Sequence, residues 1–292
     1  MTRHIAIATC QQLPDGDPEE QPLLDALAEL GLAVSLVPWT APEVDWAGFD
    51  ATVVRSTWDY TGQLPQFLAW ADSVPRLHNP AGVIRSNSDK RYLAGLAAAG
   101  LPVVPTGFFE PGQPVRLPDS GEFVVKPSVG AGSRGAGRFD ADRPGGTELA
   151  GAHARALHGA GRTVLVQPYL SGVDAAGETA LVFIDGRFSH AIGKAAMLAP
   201  GSQHPIAAEH LYVAETITSR RPGAGELEVA GRVLDQLSQD LARPLLYARI
   251  DLLPGESGPV LVEAELTEPS LFLTHCPAAG MRLARAICDR TA

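Results

Sequence analysis

Near its C-terminal end the sequence sets an arginine and three carboxylates at alternate positions of two apolar runs. Arg249 and Asp251 lie in "YARIDLLPG", and Glu263 and Glu265 in "VLVEAEL". Alternation is the period of a β-strand, whose successive side chains point to opposite faces. If the two runs form an antiparallel pair with Leu253 opposite Leu261, then Asp251 faces Glu263 and Arg249 faces Glu265. Ala248, Ile250, Leu252, Val262, Ala264 and Leu266 then make an apolar opposite face that a core can bury. Two carboxylates ~5 Å apart repel by roughly 3 kcal/mol at an effective dielectric near 20. A converging set therefore needs protons or a cation. Oxygen ligands without His or Cys suit Mg²⁺, and Arg249 offers partial neutralisation without a metal.

A second constellation is "FVVKPSVGAGSRGAGRF", residues 123–139, where an apolar run ends in Lys126-Pro127 and Gly130, Gly132 and Gly135 follow in G-x-G-x-x-G spacing. In a dinucleotide-binding unit the third glycine opens a helix, and an acid about 20 residues on holds the ribose. Here Gly137, Pro144, Gly145 and Gly146 would interrupt such a helix, and "GAHARALHGAG" supplies no acid. A Walker loop fails because no Lys-Ser or Lys-Thr follows the glycines. The context is strand, loop, strand. A glycine hairpin of this kind can close over nucleotide phosphates, as in protein kinases. Its backbone N–H groups approach the oxygens, Ser128, Ser133 and Arg134 add donors, and Lys126 reaches in as a point charge. The alternative is a solvated hairpin with one surface lysine.

A third segment, "VVRSTWDYTG", ends an apolar strand with Arg55, Thr57, Trp58 and Asp59. Ligands of open α/β sheets bind at the carboxyl ends of strands. Arg55 could there hold a carboxylate bidentately and Trp58 could supply a wall; the alternative is a structural Trp with Asp59 capping the next helix.

These groups need a scaffold. The 292 residues, 45% hydrophobic and 19% charged, suit a globular α/β chain of two or three subdomains. "HIAIATC", "LAVSLVPW" and "ATVVRSTWDY", with a helix over "DPEEQPLLDALAELG", set a βαβ rhythm and hence a parallel sheet. "NSDKRYLAGLAAAG" reads as one capped helix. Strands over 122–127 and 136–140 flank the glycine loop, and "GTELAGAHARALHGAG" is a helix. "TVLVQPYL" and "GETALVFIDGRFSHAIGK" resume strand patterning, with Asp185-Gly186 a two-residue hairpin turn. "GELEVAGRVLDQLSQDLA" is an amphipathic helix before the acidic strands. The boundaries fall near residues 85 and 170, giving units 1–85, 86–170 and 171–292. A net charge of −10 without a basic run argues against nucleic acid. No apolar run approaches the ~20 residues of a membrane span, and the N-terminus lacks a secretory core. Cys10, Cys276 and Cys288 are scattered, which fits a reducing cytoplasm rather than disulfides or zinc.

Taken together, the motifs resemble the ATP-grasp superfamily, in the branch of glutathione synthetase and the ribosomal-protein glutamate ligases. "VEAELTEP" is similar to the closing pattern of that branch, which implies metal roles for Asp251, Glu263 and Glu265. "VVKP" with its glycines resembles the phosphate lysine and covering loop, and "SDKRYL" puts Lys90 at the place of a first phosphate lysine. "VLVQPYL" resembles the hinge that reads the adenine edge, through Gln167, Pro168, Tyr169 and Leu170, and Glu178 falls where an acid holds the ribose. The similarity runs from residue 86 onward. It departs in the segment after the central hairpin, "GKAAMLAPGSQHPIAAEHLY". There the arginines that grip an acceptor carboxylate in glutathione synthetases are missing, and Lys194, His190 and His204 remain as candidates.

The resemblance implies an N-terminal parallel α/β domain followed by two α+β subdomains that clamp ATP. It also implies a ligase that uses ATP and two Mg²⁺ ions to join a small-molecule carboxylate to an amine through an acyl phosphate, with Arg249 and Lys194 as catalytic candidates. Arg55, Thr57, Trp58, Asp59 and His190 are the substrate candidates, and a homo-oligomer is left open. One alternative within the class closes a ring in a single molecule, as the D-cycloserine-forming ligase of this superfamily does. Another class, a nucleotide-binding module without catalysis, has no need of all three acids.

Overall fold

In the computed structural model, residues 2–205, 211 and 216–291 are described. The chain opens with β1 (His4–Thr9), α1 (Gln21–Glu29), β2 (Ala33–Pro38), β3 (Ala51–Val54), α2 (Leu64–Ser73), β4 (Leu77–His78) and α3 (Ala81–Asn87). The four strands pair in parallel in the order β2-β1-β3-β4. The parallel sheet expected from the βαβ rhythm is therefore present. One face packs aromatic rings, with Trp39, Tyr60, Phe67 and Trp70 in one cluster.

The single helix expected over residues 87–100 is divided. α3 stops at Asn87 and α4 (Tyr92–Ala98) starts after a turn. The Asp89 carboxylate accepts the Arg91 amide at 3.0 Å, a local bond that competes with helix continuation. Lys90 is thus placed in the turn, where its own amide donates to the Ser128 carbonyl.

A second sheet holds β5 (Gly107–Phe109), β6 (Glu122–Pro127), β7 (Gly137–Asp140) and, after α5 (Gly146–Gly159), β8 (Val164–Pro168), in the order β5-β8-β6-β7. β6 and β7 pair antiparallel around the glycines, so the strand-loop-strand reading holds.

The third sheet follows α6 (Gly172–Ala176) and contains β9 (Glu178–Ile184), β10 (Arg187–Lys194) and β11 (Ile217–Arg220). After α7 (Ala224–Ser238) it continues with β12 (Tyr247–Gly255) and β13 (Gly258–Glu265), and its order is β11-β10-β9-β12-β13. Asp185 and Gly186 both take positive φ, 50° and 71°, as a type I′ hairpin turn requires. Leu181, Ile250, Leu252 and Ala264 on one face of this sheet pack against Val229, Ala230 and Val233 of α7. The last helix, α8 (Ala278–Arg290), returns to the first sheet and packs beside α1, with Leu27, Leu283 and Ile287 fully buried.

The register of the acidic pair is partly as expected. Arg249 lies opposite Glu265 and Asp251 opposite Glu263, but Leu252 then pairs with Leu261 and Leu253 with Val260. A bulge at Val262 absorbs one residue. It sends Leu261 into the core, fully buried, and turns Val262 to the cleft. The expected burial of Val262 and the Leu253–Leu261 pairing are corrected accordingly. A bulge lets two successive residues face one side, so Val262 and Glu263 both line the cleft.

β13 is an edge strand, and unpaired edge amides invite other chains or water. Here side chains and loops from the first half of the chain satisfy them. Asn87 accepts the Leu266 amide at 2.7 Å and donates to the Ala264 carbonyl at 2.8 Å. The Tyr92 hydroxyl accepts the Ala264 amide, and Leu261 exchanges bonds with Pro102 and Val104. Asn79 repeats the device, accepting from Leu246 and donating to the carbonyls of Tyr247 and Leu266. Asn87→Ala should orphan the buried Leu266 amide, while the Ala264 carbonyl keeps the Tyr92 hydroxyl, and cost about 1–3 kcal/mol in denaturant unfolding. A loss under 0.5 kcal/mol would show that the edge is held without Asn87.

Candidate active site between the sheets

The three sheets enclose a cavity of about 360 Å³. Its floor is the polar face of β9, β10, β12 and β13, where charges from four strands interlock. Lys194 lies opposite Glu178 in register, pairs with it, and donates to Asp251 Oδ2 at 2.7 Å. Arg249 grips Asp251 through Nε and Nη2 at 2.9 Å and also bonds Glu265. Lys90 reaches over to Glu263 at 2.8 Å and to the Gly130 carbonyl at 2.8 Å.

Burial would raise Asp251, but the adjoining Arg249 and Lys194 outweigh it and hold the carboxyl well below the usual carboxylate range. Glu263 is lowered too, because Lys90 and Lys126 overcome its burial. For Glu265 and Glu178 burial wins, pushing each up to about 7 against the pull of Arg249 and Lys194 respectively.

The roof is the glycine loop. Gly132 and Gly135 take φ of 60° and 71°, and so does Ser133 at 58°, the left-handed backbone that turns successive N–H groups toward a concavity. Arg134 ties the loop to the first sheet, donating to the Trp58 carbonyl at 2.7 Å and to Thr61 Oγ1 at 2.8 Å. Lys126 lines the cavity beneath the loop. Among the described residues it makes no hydrogen bond or ion pair, and burial lowers its pKa. The side wall is the chain leaving β8, with Gln167, Pro168, Tyr169 and Leu170 on the cavity. Gln167 donates to Thr106, and the Tyr169 ring lies 3.5 Å under the Arg138 guanidinium.

The fourth wall is the turn after β13, and its construction explains most of the remaining sequence candidates. Five successive carbonyls are each held by a different side chain. Thr267 O accepts from the Tyr247 hydroxyl, Glu268 O from Trp58 Nε1 and Pro269 O from Arg55 Nη2. Ser270 O accepts from Arg249 Nη1 and Leu271 O from His190 Nε2. Arg55 and His190 thus stand behind the wall, not in the cavity. Arg55 is buried beside Glu20, 3.4 Å away, and burial lowers the pKa of His190, favouring a neutral ring. Thr57 is fully buried, Asp59 accepts from Trp39 Nε1, and neither lines the cavity. Ser128 is also buried, joined to Thr163 and Lys90 through its backbone. Of the substrate candidates Trp58 alone lines the cavity; Lys90, Lys126, Gly130, Gly132, Ser133, the hinge residues, Glu178, Lys194, Arg249 and the three strand acids all do.

Sequence reasoning passed over Glu268, Tyr60, Ser270 and Phe272, which also line it. Glu268 is 7% exposed, accepts from the Tyr60 hydroxyl, and is pushed by burial and then by Glu265 up to about 8. Its signal was present in "TEPS", where a fifth acid follows directly on the strand pair, but period-2 patterning ends at Glu265.

As a test for a metal, the donor set of Asp251, Glu263 and Glu265 has the all-oxygen chemistry that Mg²⁺ takes. Each carboxylate already meets Lys90, Lys194 or Arg249, and among the described residues no three acids converge on a common point.

The Glu20–Arg55 pair behind the wall supplies a pH test. Burial pushes Glu20 up to about 7, with Arg55 opposing. Between the ordinary carboxylate range and pH 7 the unfolded chain has lost this proton while the folded chain keeps it. Stability therefore falls as pH rises through that window, by at most about 3 kcal/mol from this group. Glu20→Gln should flatten the slope in melting curves taken from pH 5 to 8. An unchanged slope would mean that Arg55 keeps Glu20 ionised.

Residues 5–79 match the family model for the N-terminal domain of D-cycloserine synthetase DcsG. Over 288 residues the chain is 37% identical to the cycloserine biosynthesis protein DcsG of Streptomyces lavendulae, covering 94% of each. The crystal structure of D-cycloserine synthetase DcsG superposes with a TM-score of 0.86 at 34% identity, over 99% of this chain and 100% of that one. D-alanine–D-alanine ligase from Bacillus anthracis, complexed with ATP, shares the fold at a TM-score of 0.66 and 15% identity, over 99% and 97% of the two chains. With the carboxylate strands, covering glycine loop and hinge in place, these likenesses lead to one statement: the chain belongs to the D-cycloserine synthetase family of ATP-grasp ligases.

Proposed function

We propose that this ligase closes a ring within one small amino acid, joining its carboxylate to a nitrogen that the same molecule carries. The observation that carries the nucleotide half of the reading is Lys126: a lysine without an ion-pair partner among the described residues, under a loop of left-handed glycines and above a carboxylate floor. The kinship with D-cycloserine synthetase supports the ring. Opening that cyclic hydroxamate at its acyl–nitrogen bond gives 3-(aminooxy)-D-alanine, the linear substrate we assign. Its carboxylate takes the γ-phosphoryl group of ATP, releasing ADP and leaving an acyl phosphate. The aminooxy nitrogen then attacks the acyl carbon, inorganic phosphate departs with the C–O electron pair, and the nitrogen loses a proton.

In this reading Lys90, Lys126 and the loop N–H groups align the phosphates, and the hinge at Gln167–Leu170 receives the base. Glu178 is held by Lys194 at the ribose side, and Arg249 faces the oxyanion that forms at the acyl carbon. Once drawn off Lys194, Lys90 and Arg249, the carboxylates of Asp251, Glu263 and Glu265 would hold Mg²⁺, which would supply charge neutralisation at the transferring phosphoryl group. No nucleophilic side chain takes part. Three free cysteines and the use of ATP support a cytoplasmic setting; no helix among the described residues is long and apolar enough to cross a membrane.

Two measurements test this. With oxygen-18 in the substrate carboxylate, label should appear in released phosphate, with ADP as coproduct; AMP with pyrophosphate, or a stable phosphate ester, would overturn the route. Lys126→Ala should weaken ATP binding about 10- to 100-fold, roughly 1.4–2.7 kcal/mol, and leave the melting temperature of the nucleotide-free protein unchanged. A lowered melting temperature with normal affinity would make the lysine structural.

A further inference from the structure

The cavity floor and the turn beyond it carry five carboxylates: Glu178, Asp251, Glu263, Glu265 and Glu268. Four are matched by Lys90, Lys194 or Arg249. Glu268, on the wall made by the turn, has no ion pair among the described residues; a neutral hydroxyl, that of Tyr60, is its hydrogen-bond donor. A carboxyl buried without a countercharge holds its proton, and a cation arriving in the cavity would supply the charge that lets it ionise.

The position is also fixed. The Glu268 carbonyl is held by Trp58 Nε1 at 3.0 Å, and the next carbonyl by Arg55 at 2.8 Å. Tyr60 is 3% exposed and stacks on Phe67 with ring centroids 4.6 Å apart. The carboxyl and its donor are therefore both anchored, as a recognition group must be. Arg249 bonds Glu265 on one side of Glu268 in the chain and the Ser270 carbonyl on the other, and all four residues line the cavity, so Glu268 shares the wall at which a substrate carboxylate would meet Arg249. In an α-amino acid the ammonium is one carbon from the carboxylate.

We propose that Glu268, oriented by Tyr60, binds the α-ammonium group of the substrate and so restricts the enzyme to α-amino acids over their des-amino counterparts. The inference rests on the ring-closing reading above for its choice of ligand, but it concerns recognition, and binding can test it without turnover. The missing countercharge then arrives with the substrate, and a ligand of the same length without the amine leaves the carboxylate unmatched. Such polar sites reject analogues that lack the expected group far more strongly than apolar pockets do.

The test is calorimetric binding of 3-(aminooxy)-D-alanine and of 3-(aminooxy)propanoic acid, its des-amino counterpart, to the wild type and to Glu268→Gln, with ADP release followed separately. The wild type should bind the amino acid at least 30-fold more tightly than the counterpart, and Glu268→Gln should reduce that ratio below about 3-fold while nucleotide affinity stays within 2-fold. Tyr60→Phe, which keeps the ring packing, should lower the ratio by an intermediate factor and serves if Glu268→Gln does not fold. An equal ratio in wild type and variants, or no discrimination by the wild type, would overturn the subsite. Discrimination in binding without ADP release would overturn the ligase reaction and leave the subsite standing.

Discussion

Asp251 is the group on which the site depends. It is 2% exposed, on a strand inside a five-stranded sheet, and it is held ionised by Arg249 from its own strand and Lys194 from two strands away. An ionised carboxylate buried alone would neutralise itself. Because it does not, Arg249 and Lys194 are fixed in direction, and each has capacity left for a second acid. Arg249 shares Nη2 with Glu265 and turns Nη1 to the Ser270 carbonyl, while Lys194 also takes Glu178. The geometry of floor and wall thus follows from one carboxylate sharing two cations.

How far this was legible in the sequence depends on whether a feature is periodic. Arg249, Asp251, Glu263 and Glu265 alternate with apolar residues, so their facing pairs could be read from spacing. The glycine hairpin could be read because Gly137, Pro144 and Gly145 leave no room for a helix after the loop. Val262 was misjudged because a bulge breaks the period by one residue and nothing in "GPVLVEAEL" marks where the extra residue goes. Arg55, Thr57, Asp59 and His190 were misjudged for a different reason. Their residue types suit a ligand, and the strand-end position of the first three suits one too, but Arg55 and His190 hold carbonyls more than 80 and up to 214 positions away. Partners that distant leave no mark on local sequence. Glu268 was missed for the converse reason: it follows the strand, where alternation carries no information.

Lys126 beneath the glycine loop and residues 167–170 at the side both line the cavity. The segment 193–212, where the sequence departs from glutathione synthetases, is described up to residue 205 and at 211. Backbone bonds join Arg138 to Ser202 and Ala136 to His204, so this stretch runs along the exit of the glycine loop, and Met197 and Leu198 line the cavity. Residues 206–210 lie outside the described ones.

The pinned turn after β13 also decides how separable the parts of this chain are. Trp58 and Arg55 arrive from the first sheet and Asn79 from its margin, while the carbonyls they hold belong to residues 247–269. Exchanging the N-terminal 80 or so residues with those of a relative that lacks these three side chains would leave four buried carbonyls without donors. The cavity would then lose this wall while Lys126, the glycine loop and residues 167–170 stayed in place. Transplanting substrate preference between such ligases is for this chain a matter of moving an N-terminal unit and its C-terminal turn as one piece.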